Sequence, residues 1–228
     1  MRPNSGAFGW KRREWLRRAL AAGAAMPLVL RNALAAGTRP SDLVEIKGDV
    51  LLNDKPARTG AVMKPGDSVA TARASSAVFV IGRDAFLMRE NSELRTAGSG
   101  VLVDSLRLTT GKLLSVFGNG RRSIVTPTAT IGIRGTGVYI EAEAERTYVC
   151  TCYGLVDLQA NSMAQARESV SATHHDAPRY IYARGEMPIK MIAPAPVINH
   201  TDAELIMLEA LLGRKPPFVD SGNDYKGY

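Results

Sequence analysis

From Leu43 to about Gln159 the chain is a succession of short apolar or alternating runs, each closed by a turn, and this rhythm limits the folds open to it more than any other feature. Leu43-Val44-Glu45-Ile46, Ala77-Val78-Phe79-Val80-Ile81, Ala85-Phe86-Leu87-Met88 and Leu113-Leu114-Ser115-Val116-Phe117 are of strand length. Ser105-Leu106-Arg107-Leu108-Thr109 and Val138-Tyr139-Ile140-Glu141-Ala142 alternate as half-buried strands do. Between the runs stand Lys64-Pro65-Gly66-Asp67, Gly82-Arg83-Asp84, Gly98-Ser99-Gly100, Thr110-Gly111 and Gly118-Asn119-Gly120, all of them turn chemistry. Many short strands without helical periodicity between them predict an all-β domain over residues 43–159, a sandwich, barrel or solenoid-like fold.

The first 36 residues read differently. Met1 to Arg18 holds Arg2, Lys11, Arg12, Arg13, Arg17 and Arg18 against the single acid Glu14, and an apolar stretch follows from Ala19 to Leu30. Ala33-Leu34-Ala35 then supplies the small-x-small pattern of a leader cut after Ala35 or Ala36. The apolar stretch is well short of the roughly 20 residues that cross a bilayer, so no stable membrane span is expected. Lys11-Arg12-Arg13-Glu14-Trp15-Leu16-Arg17 resembles the twin-arginine export motif, with Trp15 in place of the usual phenylalanine. An ordinary secretory leader that happens to hold two arginines is the alternative. Either route predicts a periplasmic protein.

The leader also accounts for the net charge of +7. Residues 1–36 hold seven bases and one acid, which leaves 22 bases and 21 acids beyond them. A chain that close to neutrality lacks the basic face that nucleic-acid binding requires. The 192 residues beyond the leader suffice for one domain and an extension without a covalent staple. Two cysteines, two positions apart, make no disulfide framework.

Residues 160–228 form that extension. Ser162 to Val170 is polar and fits neither period. Pro178, Pro188, Pro194 and Pro196 predict an extended segment lying over the domain. One helix is expected near residues 202–212: Asn199 to Asp202 offers capping side chains, Asp202 and Glu204 load the first turn, and Gly213 ends it. Leu205, Leu208, Leu211 and Leu212 would give that helix an apolar stripe for docking on the β domain. Phe218 onward reads as a frayed tail.

The β region resembles the FecR domain family. Val62-x-x-Pro65-Gly66-Asp67-x-Val69-x-Thr71 is similar to the opening of that domain, and Gly111-Lys112-Leu113 matches the glycine before its central strand. The most specific block runs from Ile124 to Val138, with Thr126-Pro127, Ala129, Gly132 and Arg134-Gly135-Thr136. Thr147-x-Val149 and Gly154-x-Val156 complete the pattern, which covers residues 43–159. The resemblance implies a periplasmic β domain used for protein contact or signal sensing rather than catalysis. The family's best-known regulators carry a cytoplasmic anti-sigma segment and one membrane span before this domain. Here the leader occupies that place, which argues against signalling across the membrane.

All the cysteines and histidines fall in one late window: Cys150, Cys152, His174, His175 and His200. Cys150 and Cys152 lie two apart in an expected strand, so both face one side of the sheet. In the resembling family the alternate set, here Val149 and Thr151, faces the core, which would turn the cysteines toward whatever the extension covers. Two thiolates with imidazoles from His174 or His175 and from His200 would make a soft four-ligand site for zinc or copper. Asp176 and Asp202 are placed to orient the histidines. If the segment is extended, adjacent His174 and His175 point to opposite faces, so one of them ligates. Two other readings stand beside this one: a strained disulfide across a Cα separation of about 6.6 Å, or inert buried thiols. No nucleophile elbow, phosphate loop or histidine–glutamate zinc motif is present, so no enzyme is expected. The sequence thus points to a non-catalytic envelope binding or sensing protein with an unidentified protein or polymer partner. A metal- or thiol-handling protein is the second reading.

Overall fold

The computed structural model describes residues 42–100, 102–184 and 190–219. The expected leader, export motif and cleavage point lie outside the described residues. What is described is all-β with one α-helix, as the punctuated runs predict.

The first seven strands are β1 (Leu43–Lys47), β2 (Val50–Leu52), β3 (Lys55–Pro56), β4 (Ser68–Thr71), β5 (Ser76–Ile81), β6 (Asp84–Met88) and β7 (Ser92–Ser99). Longer strands follow: β8 (Leu102–Val116), β10 (Ala129–Ala142) and β11 (Arg146–Ala160), with the short β9 (Arg121–Val125) between the first two. The extension adds β12 (Arg167–Ala172), β13 (Arg179–Tyr182) and β14 (Ile192–Pro194), then α1 (Asp202–Leu211) and a 3-10 turn at Pro217–Val219. The strands join one sheet, antiparallel except where β8 meets β9.

The three long strands organise that sheet because each pairs with different neighbours along its length. The first half of β10 lies against β9 and its second half against β8, while β11 runs beside β10 throughout. One part of β11 pairs with β12 and another with β13, so the extension continues the same sheet.

A turn was expected at Thr110-Gly111, but β8 runs straight through it. Gly111 has φ of +93°, and the pairing with β7 slips nearby. A Cβ at Gly111 would lie 2.4 Å from the Ser92 Cα, so only glycine lets the two strands approach there. The glycine that reads as a turn is a bulge.

The central strands are buried on both faces. Ala77, Phe79, Phe86, Leu113, Val138, Ile140 and Val149 belong to the main core. Their neighbours Val78, Val80, Leu87, Leu114, Tyr139, Tyr148 and Cys150 belong to a second apolar layer. Strands buried on both sides read as continuous apolar runs, which explains Ala77–Ile81 and Ala85–Met88.

The extension covers the second layer. Leu205 and Leu208 of α1 are fully buried in it, and Leu211 and Leu212 pack at its margin. A capping box sets the start of the helix: Thr201 Oγ1 accepts from the Glu204 N–H at 3.4 Å, and the Glu204 carboxylate accepts from the Thr201 N–H at 2.9 Å. Gly213, at φ +68°, ends it. The extended stretch before the helix is tied down by Tyr148, whose hydroxyl donates to the Pro196 carbonyl and accepts from the Ile198 N–H. Phe218 is no frayed end, because its ring is buried against Tyr153 and His174. Residues 220–228 lie outside the described residues. Among the described residues, no helix is long and apolar enough to cross a membrane.

Candidate metal centre

Strand parity places the first half of the site. Val149 faces the main core, so Cys150 and Cys152 face the second layer, and both are wholly buried. Cys150 lies in register with Tyr139 on β10. The thiols are free, and Cys152 Sγ is 3.7 Å from the Cys150 carbonyl oxygen.

The loop between β12 and β13 supplies the next ligand. Asp176 closes a tight turn by accepting from the Thr173 N–H, the Thr173 hydroxyl and the His174 N–H. The chain then reverses at His175, which takes φ of +55° and donates its N–H to the Cys152 carbonyl at 3.0 Å. The left-handed residue separates the neighbouring imidazoles. His175 turns inward and His174 stays at the rim, stacked on Phe218 at 4.4 Å. Asp176 therefore shapes the turn, while Asp202 meets both rings.

His200 arrives from the approach to α1. Asn199, at φ +57°, bonds Glu141 through its amide, and Arg89 donates to its carbonyl. The His200 ring stacks on Tyr139 at 4.6 Å. Tyr139 in turn donates to Glu141 at 2.7 Å. The sequence pattern placed Tyr139 and Glu141 in a strand and Asn199 at a helix cap, and connected none of them with the site. Only the register opposite Cys150 could have drawn attention to the first.

The hydrogen bonds fix which nitrogen of each ring is open. His200 Nδ1 lies 2.6 Å from the Ile198 carbonyl, which only accepts, so Nδ1 carries the proton. His175 Nε2 lies 2.9 Å from Asp202 Oδ1 and is protonated for the same reason. In the neutral rings the lone pairs therefore sit on His200 Nε2 and His175 Nδ1. These atoms face each other at 3.0 Å, with Cys150 Sγ 3.4 Å from His175 Nδ1. Two lone pairs at that separation need a proton or a cation between them.

The titration behaviour follows from the same geometry. The neighbouring Cys152 thiol, opposed by burial and aided by His175 and His200, brings Cys150 down to about 4. Burial and the adjacent Cys150 push Cys152 well up. Burial disfavours charge on His175, but Cys150 and Asp202 outweigh it and raise that histidine. Without a metal, the proton is thus held on the imidazole beside a Cys150 thiolate.

One donor atom from each of Cys150, Cys152, His175 and His200 lies within 4.8 Å of the other three. In a tetrahedral zinc site with two sulfurs and two nitrogens, ligand atoms stand about 3.3–3.8 Å apart. The residues fit such an ion with small adjustments. Each imidazole also has the outer acceptor that metal-bound histidines use, Asp202 for one and the Ile198 carbonyl for the other. His174, His175 and Asp202 form a second, overlapping group at the rim.

Fold and site together define an all-β protein with a buried Cys2His2 donor set at the seam between its sheet and its C-terminal helix. No protein-family model matches the chain, and no curated protein matches it. Two solved structures of a proposed anti-sigma factor from Parabacteroides distasonis are similar to it, each with 11% identity and a TM-score of 0.46. The first match covers 56% of this chain and 58% of that one, so it spans less than two thirds of the solved structure. The second covers 64% and 73%.

Proposed function

We propose that this chain is a non-catalytic binding or sensing protein of the cell envelope that carries one zinc ion on Cys150, Cys152, His175 and His200. One observation carries the reading: two thiols and two imidazole nitrogens from three separate stretches of chain converge within 4.8 Å in a site closed to solvent. Zinc suits the charge as well as the donors. A divalent ion neutralises two thiolates, whereas monovalent copper would leave a net negative charge buried beside Asp202. Cys150, His175 and Asp202 also stand in the order of a nucleophile, a base and its orienting acid. Cys150 has no exposed surface for a substrate to reach, which favours binding over turnover. The leader-like first 36 residues and the FecR-like signature support a periplasmic role with an envelope protein or polymer as partner.

The test is elemental analysis of protein purified under reducing conditions. One zinc per chain is expected, and none in a Cys150→Ser/Cys152→Ser double variant. Wild-type protein that is metal-free and no less stable for it, or that holds copper instead, refutes the assignment of zinc.

A further inference from the structure

A buried ion needs a way in, and the four inner ligands offer none. Cys150 and Cys152 have no exposed surface, and His175 and His200 are 5% exposed. Among the described residues, one metal-competent side chain beside them reaches solvent: His174, at 25% side-chain exposure. Its Nε2 lies 2.9 and 3.0 Å from the two oxygens of Asp202, whose own side chain is 1% exposed. Oδ1 of that carboxylate is also 2.9 Å from His175 Nε2. His175 thus presents Nε2 to the outer pair and Nδ1 to the inner donors.

We infer that His174 and Asp202 form an outer docking pair through which a divalent metal ion loads into, and leaves, the inner Cys2His2 set. The inference rests on the metal reading above and assigns the site its route of exchange. The chemistry of the two sets is graded in the right order. An imidazole with a carboxylate suits a hydrated divalent ion that keeps most of its water, whereas two thiolates with two imidazoles suit the dehydrated ion. On docking, the His174 proton moves from Nε2 to Nδ1, and the freed lone pair and Asp202 take the ion. On transfer inward the ion sheds its remaining water, the His175 ring gives up its Nδ1 proton and Cys152 its thiol proton to solvent, and the His174 proton returns to Nε2. Phe218 stacks on the His174 ring and shields one face of it. Its removal should open the route rather than close it.

The experiment follows cobalt(II) as the probe, using its thiolate charge-transfer absorption. The full-length reduced protein is loaded in a stopped-flow instrument and then unloaded with excess EDTA. His174→Gln is expected to slow loading and unloading by the same factor. Its affinity and its one-to-one stoichiometry should stay unchanged. Phe218→Ala is expected to speed both processes. A group used only in transit must act on both directions equally, so the unloading rate decides the matter. If His174→Gln unloads faster and binds more weakly, His174 merely positions Asp202 and the route is wrong. Unaltered rates in His174→Gln overturn it as well. If wild-type protein develops no thiolate–cobalt band, the metal site itself is refuted.

Discussion

His200→Ala separates the packing role of this residue from its role as a ligand. Without metal, the variant loses the stack on Tyr139 and the hydrogen bond that satisfies the Ile198 carbonyl. An aromatic stack contributes about 0.5–1.5 kcal/mol and a buried hydrogen bond about 1 kcal/mol, so the metal-free loss is about 2 kcal/mol. For a chain of this size that is a drop of about 4–8 °C in Tm. With free zinc at about 100 times its Kd, the wild type gains a further stabilisation of about 2.7 kcal/mol. A variant with three ligands forfeits that gain, and its Tm should fall by about 10–20 °C. The assay is thermal unfolding followed by circular dichroism under reducing conditions, with zinc and again with excess chelator. Equal losses in the two conditions would refute ligation by His200. A metal-free loss near zero would refute the packing described for its ring.

Two further outcomes test the scaffold. Leu208→Ala removes a fully buried anchor of α1 from the second apolar layer and should cost about 2–5 kcal/mol, read as a shift in the denaturant midpoint at constant slope. Partial burial raises Asp176, but the Thr173 N–H, the Thr173 hydroxyl and the His174 N–H outweigh it and hold the carboxyl below its usual range. Because the folded-state value is the lower one, this contribution is complete above the ordinary carboxylate range and disappears as pH falls through the depressed value. Wild type should therefore be more stable than Asp176→Ala at neutral pH, and Tm measured down to strong acid should show that difference vanish.

Much of this was legible wherever neighbouring residues carry the information. The runs at Leu43–Ile46, Ala77–Ile81 and Ala85–Met88 fall within strands, and the helix begins beside its capping residues and ends at Gly213. The orientation of Cys150 followed from parity once Val149 was given to the core. Gly111 was not legible, because a turn and a bulge ask for the same positive φ, and only Ser92 on the partner strand decides between them. The choice between His174 and His175 was hidden for a similar reason. Alternation assumes extended backbone, whereas His175 takes a left-handed conformation that histidine favours only weakly and glycine would have signalled. Phe218 read as tail because its partners, Tyr153 and His174, are remote in sequence.

Stability alone does not account for the residues at the seam. Fully burying a leucine contributes about 1.5–3 kcal/mol, so Leu205 and Leu208 can hold α1 on the sheet without help from its approach. Valines at positions 150 and 152 would serve the second layer as well, with no thiol to desolvate. The chain instead buries two thiols beside two imidazoles and an Asp202 carboxylate that is 1% exposed. Buried polar groups are costly unless each is matched. Here the matching is nearly complete at the outer edge, where Asp202 and the Ile198 carbonyl take the ring protons. At the centre, His175 Nδ1 lies 3.0 Å from His200 Nε2 and 3.4 Å from Cys150 Sγ, and these atoms must share a proton when no cation is there. A buried cluster that must otherwise keep a thiolate beside a protonated imidazole is the arrangement a divalent cation would stabilise by replacing those protons.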